Sequence, residues 1–239
     1  MRFGLSKPSR WGWKLATDAL WRHSPTWALH LQNIRNNRIV EDENFLAFYA
    51  QLRRDRSALL TVREVRNLWT LGRMALDVPG DFAEFGVYRG GGAKVLKEIA
   101  QGRTLHLFDT FAGMPPVDPG RDPSVRAGDF ANTSLDAVRK YLGTDGIRYY
   151  PGFFPASTQG HEHELSRFAF VHLDVDIYQS TLEGLRFFYP RMSPGGMLVT
   201  HDFHAQSCPG VDEAYEEFFH DKPERVLPLW DSQALVVKQ

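Results

Sequence analysis

The sequence predicts an α/β fold, a doubly wound and mostly parallel sheet with a helical N-terminal extension. Three observations predict it. From residue 82 onward, short apolar strands alternate with amphipathic helices, the rhythm of a parallel sheet covered on both faces. Before that, Phe45, Leu46, Phe48, Tyr49 and Leu52, then Val62, Val65, Leu68, Trp69, Leu71 and Leu76, recur at helical spacing until Val78-Pro79-Gly80 stops them. At the far end only Pro228 to Ser232 connects the last two strand candidates, too few residues for a crossover helix, so they should pair as an antiparallel hairpin.

Taken in order, residues 1–40 form a basic head, 41–77 a helical extension, and 78–239 the sheet domain. The head holds seven Lys/Arg against the single acid Asp18, together with Trp11, Trp13, Trp21 and Trp27. Its balance of +6 leaves −7 for the rest of the chain. A lid, a dimer contact that makes the chain a homo-oligomer, and an interfacial segment each suit that composition. Asp18, Arg22 and His23 interrupt every apolar run a signal peptide would need. The strand candidates are 82–87, 104–108, 147–150, 168–174, 196–200, 225–229 and 234–237; the helices are 91–100, 133–142, 178–189 and 210–220, with a weaker stretch near 156–165. The Pro/Gly/Asp-rich connection 111–132 is long enough to be a lid or binding loop, or else a surface excursion.

Composition narrows the function. The chain has 239 residues, 43% hydrophobic and 24% charged, which is ordinary globular usage. With 28 Lys+Arg against 29 Asp+Glu there is no global basic field for nucleic acid. No run approaches the ~18 apolar residues of a transmembrane helix. The single Cys208 excludes an internal disulfide framework and a Cys-rich zinc site, and fits a reducing cytoplasm.

In open parallel sheets, ligands bind at the carboxyl ends of the strands, near the point where strand order reverses. The first strand runs through Glu84, Phe85, Gly86, Val87 and Tyr88 into Arg89-Gly90-Gly91-Gly92 and a helix, a turn that lets a ligand approach backbone N–H groups. It is neither G-x-G-x-x-G nor a P-loop. The second strand ends in Asp109, placed to accept both hydroxyls of a ribose or to cap a turn. The fourth ends in Asp174-Val175-Asp176 and the fifth in His201-Asp202. Carboxylates crowd together where a cation or a shared proton holds them, and such oxygen ligands with open positions suit Mg²⁺, with His201 shifting the preference toward a transition metal. Asp176 is expected instead to cap the helix that begins near Tyr178. His161-Glu162-His163-Glu164 reads as a solvated face. His172 reads as a buried, hydrogen-bonded histidine, and Cys208 as a wall residue without an activating base.

The segments GDFAEFGVYRGGGAKVL, LHLFDTFAGMP, YYPGFFP, FVHLDVDIYQSTLEGLRFFYPRMSPGGMLVTHDF and SCPGVDEAYEEFF follow one another in order, and together they resemble the macrocin O-methyltransferase (TylF/MycF) family over residues 58–239. The resemblance implies a Rossmann-like class I methyltransferase sheet, which ends in such a hairpin. It implies S-adenosyl-L-methionine as methyl donor, Mg²⁺ as the ion that holds the acceptor, and a sugar-containing small molecule as that acceptor. Carried over by motif, Glu84, Phe85, Gly86, Val87 and Tyr88 line the methionine and ribose side of the cofactor. Asp109, Thr110 and Phe111 hold the ribose and neighbouring adenosine, Gly152 and Phe154 border the adenine, and Thr61 reaches the methionine end. Asp174 serves as general base and, with Asp202 and His201, as metal ligand. The sequence departs from the family where His201-Asp202-Phe203 replaces Asp-Asp-Tyr, which lowers the ligand charge, and where Val175 replaces Gly. An O-methyltransferase acting on a hydroxyl of a sugar or glycosylated metabolite is therefore expected. A methyltransferase for a phenol, catechol or amine, or a cofactor-binding partner without turnover, are the alternatives. The missing G-x-G-x-x-G and the terminal hairpin argue against an NAD-dependent oxidoreductase.

Overall fold

A computed structural model describes residues 43–55 and 59–239. The basic head therefore lies outside the described residues, as do 41–42 of the extension. The chain divides into two compact units, Met1–Gln51 and Leu52–Gln239. Helix α1 (Glu43–Arg54) runs across that boundary, its Phe45 and Tyr49 rings stacked at 6.3 Å one turn apart. Helix α2 (Val62–Met74) lies within the second unit. It starts at a capping box: the Thr61 hydroxyl accepts from Glu64 N–H, and the Glu64 carboxylate accepts from Thr61 N–H at 2.7 Å.

Seven strands form one sheet: β1 (Asp81–Phe85), β2 (Leu105–Asp109), β3 (Ile147–Pro151), β4 (Phe168–Leu173), β5 (Met192–His201), β6 (Leu227–Pro228) and β7 (Gln233–Val237). Their order is β3-β2-β1-β4-β5-β7-β6, with β1 to β5 parallel and β7 antiparallel to both β5 and β6. The predicted doubly wound sheet and terminal hairpin are both present. Helices α3 (Gly91–Ala100), α4 (Leu135–Leu142), α5 (Tyr178–Phe188) and α6 (Pro209–Phe219) connect the strands. All six residues of β4 are buried, the continuous apolar run expected of a central parallel strand.

Most element boundaries shift by one or two residues from the sequence reading, and two segments depart further. Strand β5 begins at Met192 rather than 196, because a register shift against β4 absorbs the turn-like Ser193-Pro194-Gly195. The weak helix near 156–165 shrinks to a single 3₁₀ turn, Ala156–Thr158.

The strand order reverses between β1 and β4, and there the backbones nearly touch. A Cβ at Gly86, whose φ is +89°, would strike the Asp174 carbonyl, so glycine is required at that position. Asp174 N–H in turn donates to the Phe85 carbonyl at 2.8 Å. This pairing holds the glycine turn and the acidic strand end on one rim.

The cap of α5 is a correction. Asp176 does not cap it: Ile177 occupies the N-cap position without a side-chain bond. The Tyr178 N–H donates instead to both oxygens of Asp122, at 3.1 and 3.2 Å. Asp122 belongs to the long connection 111–132 and is 2% exposed. The connection is thus tied to the sheet domain, and its own backbone closes through Met114 N–H to Asp129 O and Gly128 N–H to Met114 O. Asp122→Ala should cost about 0.5–2 kcal/mol in denaturant unfolding, the range for loss of an N-cap acceptor, whereas Asp122→Asn should recover most of it. Equal losses for the two variants would show that the cap is not what Asp122 contributes.

Candidate functional site

A cavity of about 470 Å³ opens at the carboxyl ends of β1, β2, β4 and β5, where the switch point places it. The glycine turn and Asp109 form one side, and Asp174, Asp176, His201 and Asp202 close the other. Tyr88, Asp176 and Asp202, which all line the cavity, carry positive φ angles of 49°, 59° and 61°. Left-handed backbone at non-glycine residues costs energy and gathers where the structure over-determines a functional geometry.

At the first side, Asp109 is locked by backbone. Its Oδ2 accepts from Val87 N–H at 2.7 Å and Tyr88 N–H at 2.8 Å, and its Oδ1 accepts from Phe111 N–H at 2.6 Å. The two N–H bonds occupy both lone pairs of Oδ2, so it is Oδ1 that keeps one for a ligand hydroxyl. Phe85, Gly86, Val87, Tyr88, Asp109, Thr110, Gly152, Phe154 and Asp174 all line the cavity, as the motif correspondence expects. Phe154 packs on Phe85 with ring centroids 4.3 Å apart.

Thr61, Glu84 and Phe111 do not line the cavity. Thr61 caps α2 and donates its hydroxyl to Asp231 at 2.9 Å. Phe111 is buried beside the cavity wall. Glu84 lies under the start of α3, where a Cβ at Gly92 would strike its carboxyl. It meets His172 Nδ1 at 2.9 Å, both side chains fully enclosed. Burial pushes the Glu84 carboxyl up to about 7, with Asp174 and Asp109 adding to the rise against the pull of His172.

At the second side, His201 sits among three carboxylates. Its Nδ1 lies 2.9 Å from Asp202 Oδ2 and 3.2 Å from Asp174 Oδ1, and its Nε2 lies 3.4 Å from Glu64 Oε1. Burial disfavours the imidazolium, but the charge of Asp174 and the close carboxylates of Asp174, Asp202 and Glu64 hold His201 well above its ordinary pKa. Burial likewise opposes ionisation of Glu64 and Asp174, yet His201 lowers both, Glu64 to about 2. Asp176 goes the other way: burial and then the charges of Asp174 and Asp202 raise it well above the carboxylate range. That is the crowding expected where a cation or a shared proton joins carboxylates.

Asp174, His201 and Asp202 offer donor atoms within 4.8 Å of one another. The faces of an octahedral site with ~2.1 Å bonds have edges of about 3 Å, so the spacings at Nδ1 fit a divalent cation. Asp176, Asp202 and Cys208 form a second close group, but burial pushes the Cys208 thiol up to about 12 and leaves it a poor ligand. Cys208 packs in the apolar core and does not line the cavity, so it is a core residue rather than the expected wall residue. His204 pairs with Asp212, and His161 and His163 flank Glu164 on the surface.

Sequence reasoning missed Glu64 and Asp122. Glu64 is the third position of the α2 capping box, and the fold turns its second oxygen toward His201. The cavity mouth was also illegible: Leu59, Phe130 and Phe153 line it while 70%, 38% and 60% exposed.

Residues 65–225 match the family described as Macrocin-O-methyltransferase (TylF). The chain is 32% identical to 8-demethyl-8-(2,3-dimethoxy-alpha-L-rhamnosyl)-tetracenomycin-C 4'-O-methyltransferase of Streptomyces olivaceus, across 56% of this chain and 57% of that protein. It is 28% identical to mycinamicin III 3''-O-methyltransferase of Micromonospora griseorubida, across 66% and 70%. Among solved structures, the O-methyltransferase NovP superposes with a TM-score of 0.68 at 23% identity, covering 77% of this chain and 82% of its own. The calicheamicin methyltransferase CalS11 gives 0.65 at 19%, covering 97% and 93%. Both superpositions show that these proteins share the fold of this chain. Among the described residues, no helix is long and apolar enough to cross a membrane.

The raised Glu84 pKa has a consequence for stability. A carboxyl whose folded pKa lies above its unfolded value binds more protons when folded, so its contribution is full below the unfolded pKa of 4.5 and is lost as pH rises toward about 7. Chemical denaturation across this window should show a downward component that Glu84→Gln removes. An unchanged pH slope in the variant would place the ionisation elsewhere.

Proposed function

This chain belongs to the macrocin-O-methyltransferase family, and on that premise we propose that it transfers a methyl group from S-adenosyl-L-methionine to a hydroxyl of a sugar-containing small molecule. The observation that carries the proposal is the two-sided cavity: a glycine turn with Asp109 on one wall, and Asp174 with His201 and Asp202 across from it. The single buried thiol suits a reducing cytoplasm, where the cofactor is made available. Self-association rests on the aromatic head, outside the described residues.

On this reading Asp109 takes the ribose hydroxyls, Phe85, Gly86, Val87, Tyr88 and Thr110 follow the methionine and ribose, and Gly152 with Phe154 borders the adenine. The transfer forms one O–C bond and breaks one S–C bond. The sulfonium sulfur receives the electron pair, leaving S-adenosylhomocysteine, and the hydroxyl proton passes to an acceptor on the protein. Asp174 suits that role, since His201 keeps its carboxylate ionised and fixed. Aligning the oxygen behind the methyl group is the larger contribution, because an in-line geometry removes the entropic cost of encounter. Asp174, Asp202 and His201 are the residues that would hold Mg²⁺, which when bound lowers the pKa of a coordinated hydroxyl.

The mouth favours an acceptor with an apolar body. Leu59, Phe130, Phe153, Met114, Pro115 and Pro116 form it, and among the described residues the cavity lining contains no Lys or Arg to receive a phosphate. A glycoside with an apolar aglycone is complementary to that surface.

Calorimetry with S-adenosylhomocysteine tests the cofactor, and absence of binding would overturn the proposal. Asp174→Asn should bind S-adenosylhomocysteine with nearly wild-type affinity while turnover falls by about 10²–10⁴-fold, the range for loss of a positioned base. Turnover close to wild type would remove Asp174 as the proton acceptor.

A further inference from the structure

We propose that Glu64 is a positioning residue that fixes His201 as the nitrogen donor of a cation site with Asp174 and Asp202, and that this site takes Mn²⁺ in preference to Mg²⁺. The inference rests on the reading of that wall as the acceptor-holding end of the cavity.

Glu64 is held on three sides. Its Oε2 accepts the Thr61 N–H at 2.7 Å, its Oε1 accepts the Ser232 hydroxyl at 3.0 Å, and that same oxygen faces His201 Nε2 at 3.4 Å. The carboxylate is 4% exposed, so water does not compete for it. Its partners come from the start of α2 and from the turn before β7, two segments 168 residues apart in sequence. Such a carboxylate cannot rotate away without breaking the α2 cap.

The imidazole is thereby oriented from behind. His201 Nε2 is buried and has no hydrogen-bond partner of standard geometry, and the group it faces is Glu64. The opposite nitrogen, Nδ1, points to Asp174 and Asp202. A carboxylate behind one ring nitrogen with the other turned to a donor cluster is the arrangement that orients metal-ligating histidines and raises their basicity. The cap residue of a helix and the ligand of a strand end are coupled through one side chain.

The donor set then decides the ion. Mg²⁺ demands oxygen ligands in near-ideal octahedral geometry, and an imidazole in place of a carboxylate removes both an oxygen and a negative charge. Imidazole affinity rises along the first-row divalent ions, while two carboxylates and open positions retain an octahedral, oxygen-tolerant ion. Mn²⁺ meets both demands.

The test is titration of the full chain with Mn²⁺, followed by the loss of the free-ion electron paramagnetic resonance signal and by competition with Mg²⁺. S-adenosylhomocysteine binding is measured in parallel by calorimetry. The expected result is one Mn²⁺ bound per chain that equimolar Mg²⁺ does not displace. Glu64→Gln should weaken Mn²⁺ about 10–100-fold, the usual effect of removing such a partner, with S-adenosylhomocysteine affinity unchanged. His201→Asp should reverse the preference toward Mg²⁺, which keeps the idea testable if Glu64→Gln does not fold. Displacement of Mn²⁺ by equimolar Mg²⁺, no Mn²⁺ binding, or full Mn²⁺ affinity in Glu64→Gln would each overturn it. Normal S-adenosylhomocysteine binding alongside any of those failures would leave the methyl-donor reading standing.

Discussion

The close approach of β1 and β4 at Gly86 and Asp174 is the constraint on which the site depends. Because no side chain fits between Gly86 and the Asp174 carbonyl, the glycine turn and the acidic strand end are held at a set distance. Everything on the cavity wall is placed relative to that contact: Asp109 through its bonds to Val87 and Tyr88, and His201 and Asp202 through the parallel pairing of β4 with β5. Backbone contacts between buried parallel strands are stiff, so a ligand that spans both sides meets a preformed gap rather than one it must organise.

Electrostatic order is built on this frame with few charges. Five acids, Asp109, Asp174, Asp176, Glu183 and Asp202, line the cavity. Four of them sit in different settings: Asp109 against backbone N–H groups, Asp174 and Asp202 against His201, and Asp176 where burial and the charges of Asp174 and Asp202 raise its pKa. The two walls therefore differ in kind: one holds a single carboxylate bonded to backbone N–H groups, and the other gathers three carboxylates and an imidazole.

Much of this was legible from residue order. The alternation of strands and helices, the glycine turn, and acids at the ends of β2, β4 and β5 all follow from local pattern plus the rule that parallel sheets bind at their carboxyl ends. Asp176 shows where that logic fails. An aspartate two residues before a helix is a sound local cap, but Asp122 reaches the same N–H groups from 56 positions away. Long-range competition for a helix terminus leaves no local trace. Glu64, which the sequence reading passed over, combines a local contact in the α2 capping box with a second one to His201 that depends on α2 lying beside β5.

The sequence by itself determined the class of fold, the end of the sheet where ligands sit, and which carboxylates stand there, because these follow from periodicity and strand polarity. Only the tertiary structure decided which of them crowd together, which lie against His201, and which apolar residues form the mouth. Those outcomes depend on distances of about 3 Å between segments far apart in the chain, and hydrogen bonds and ion pairs change character over tenths of an ångström.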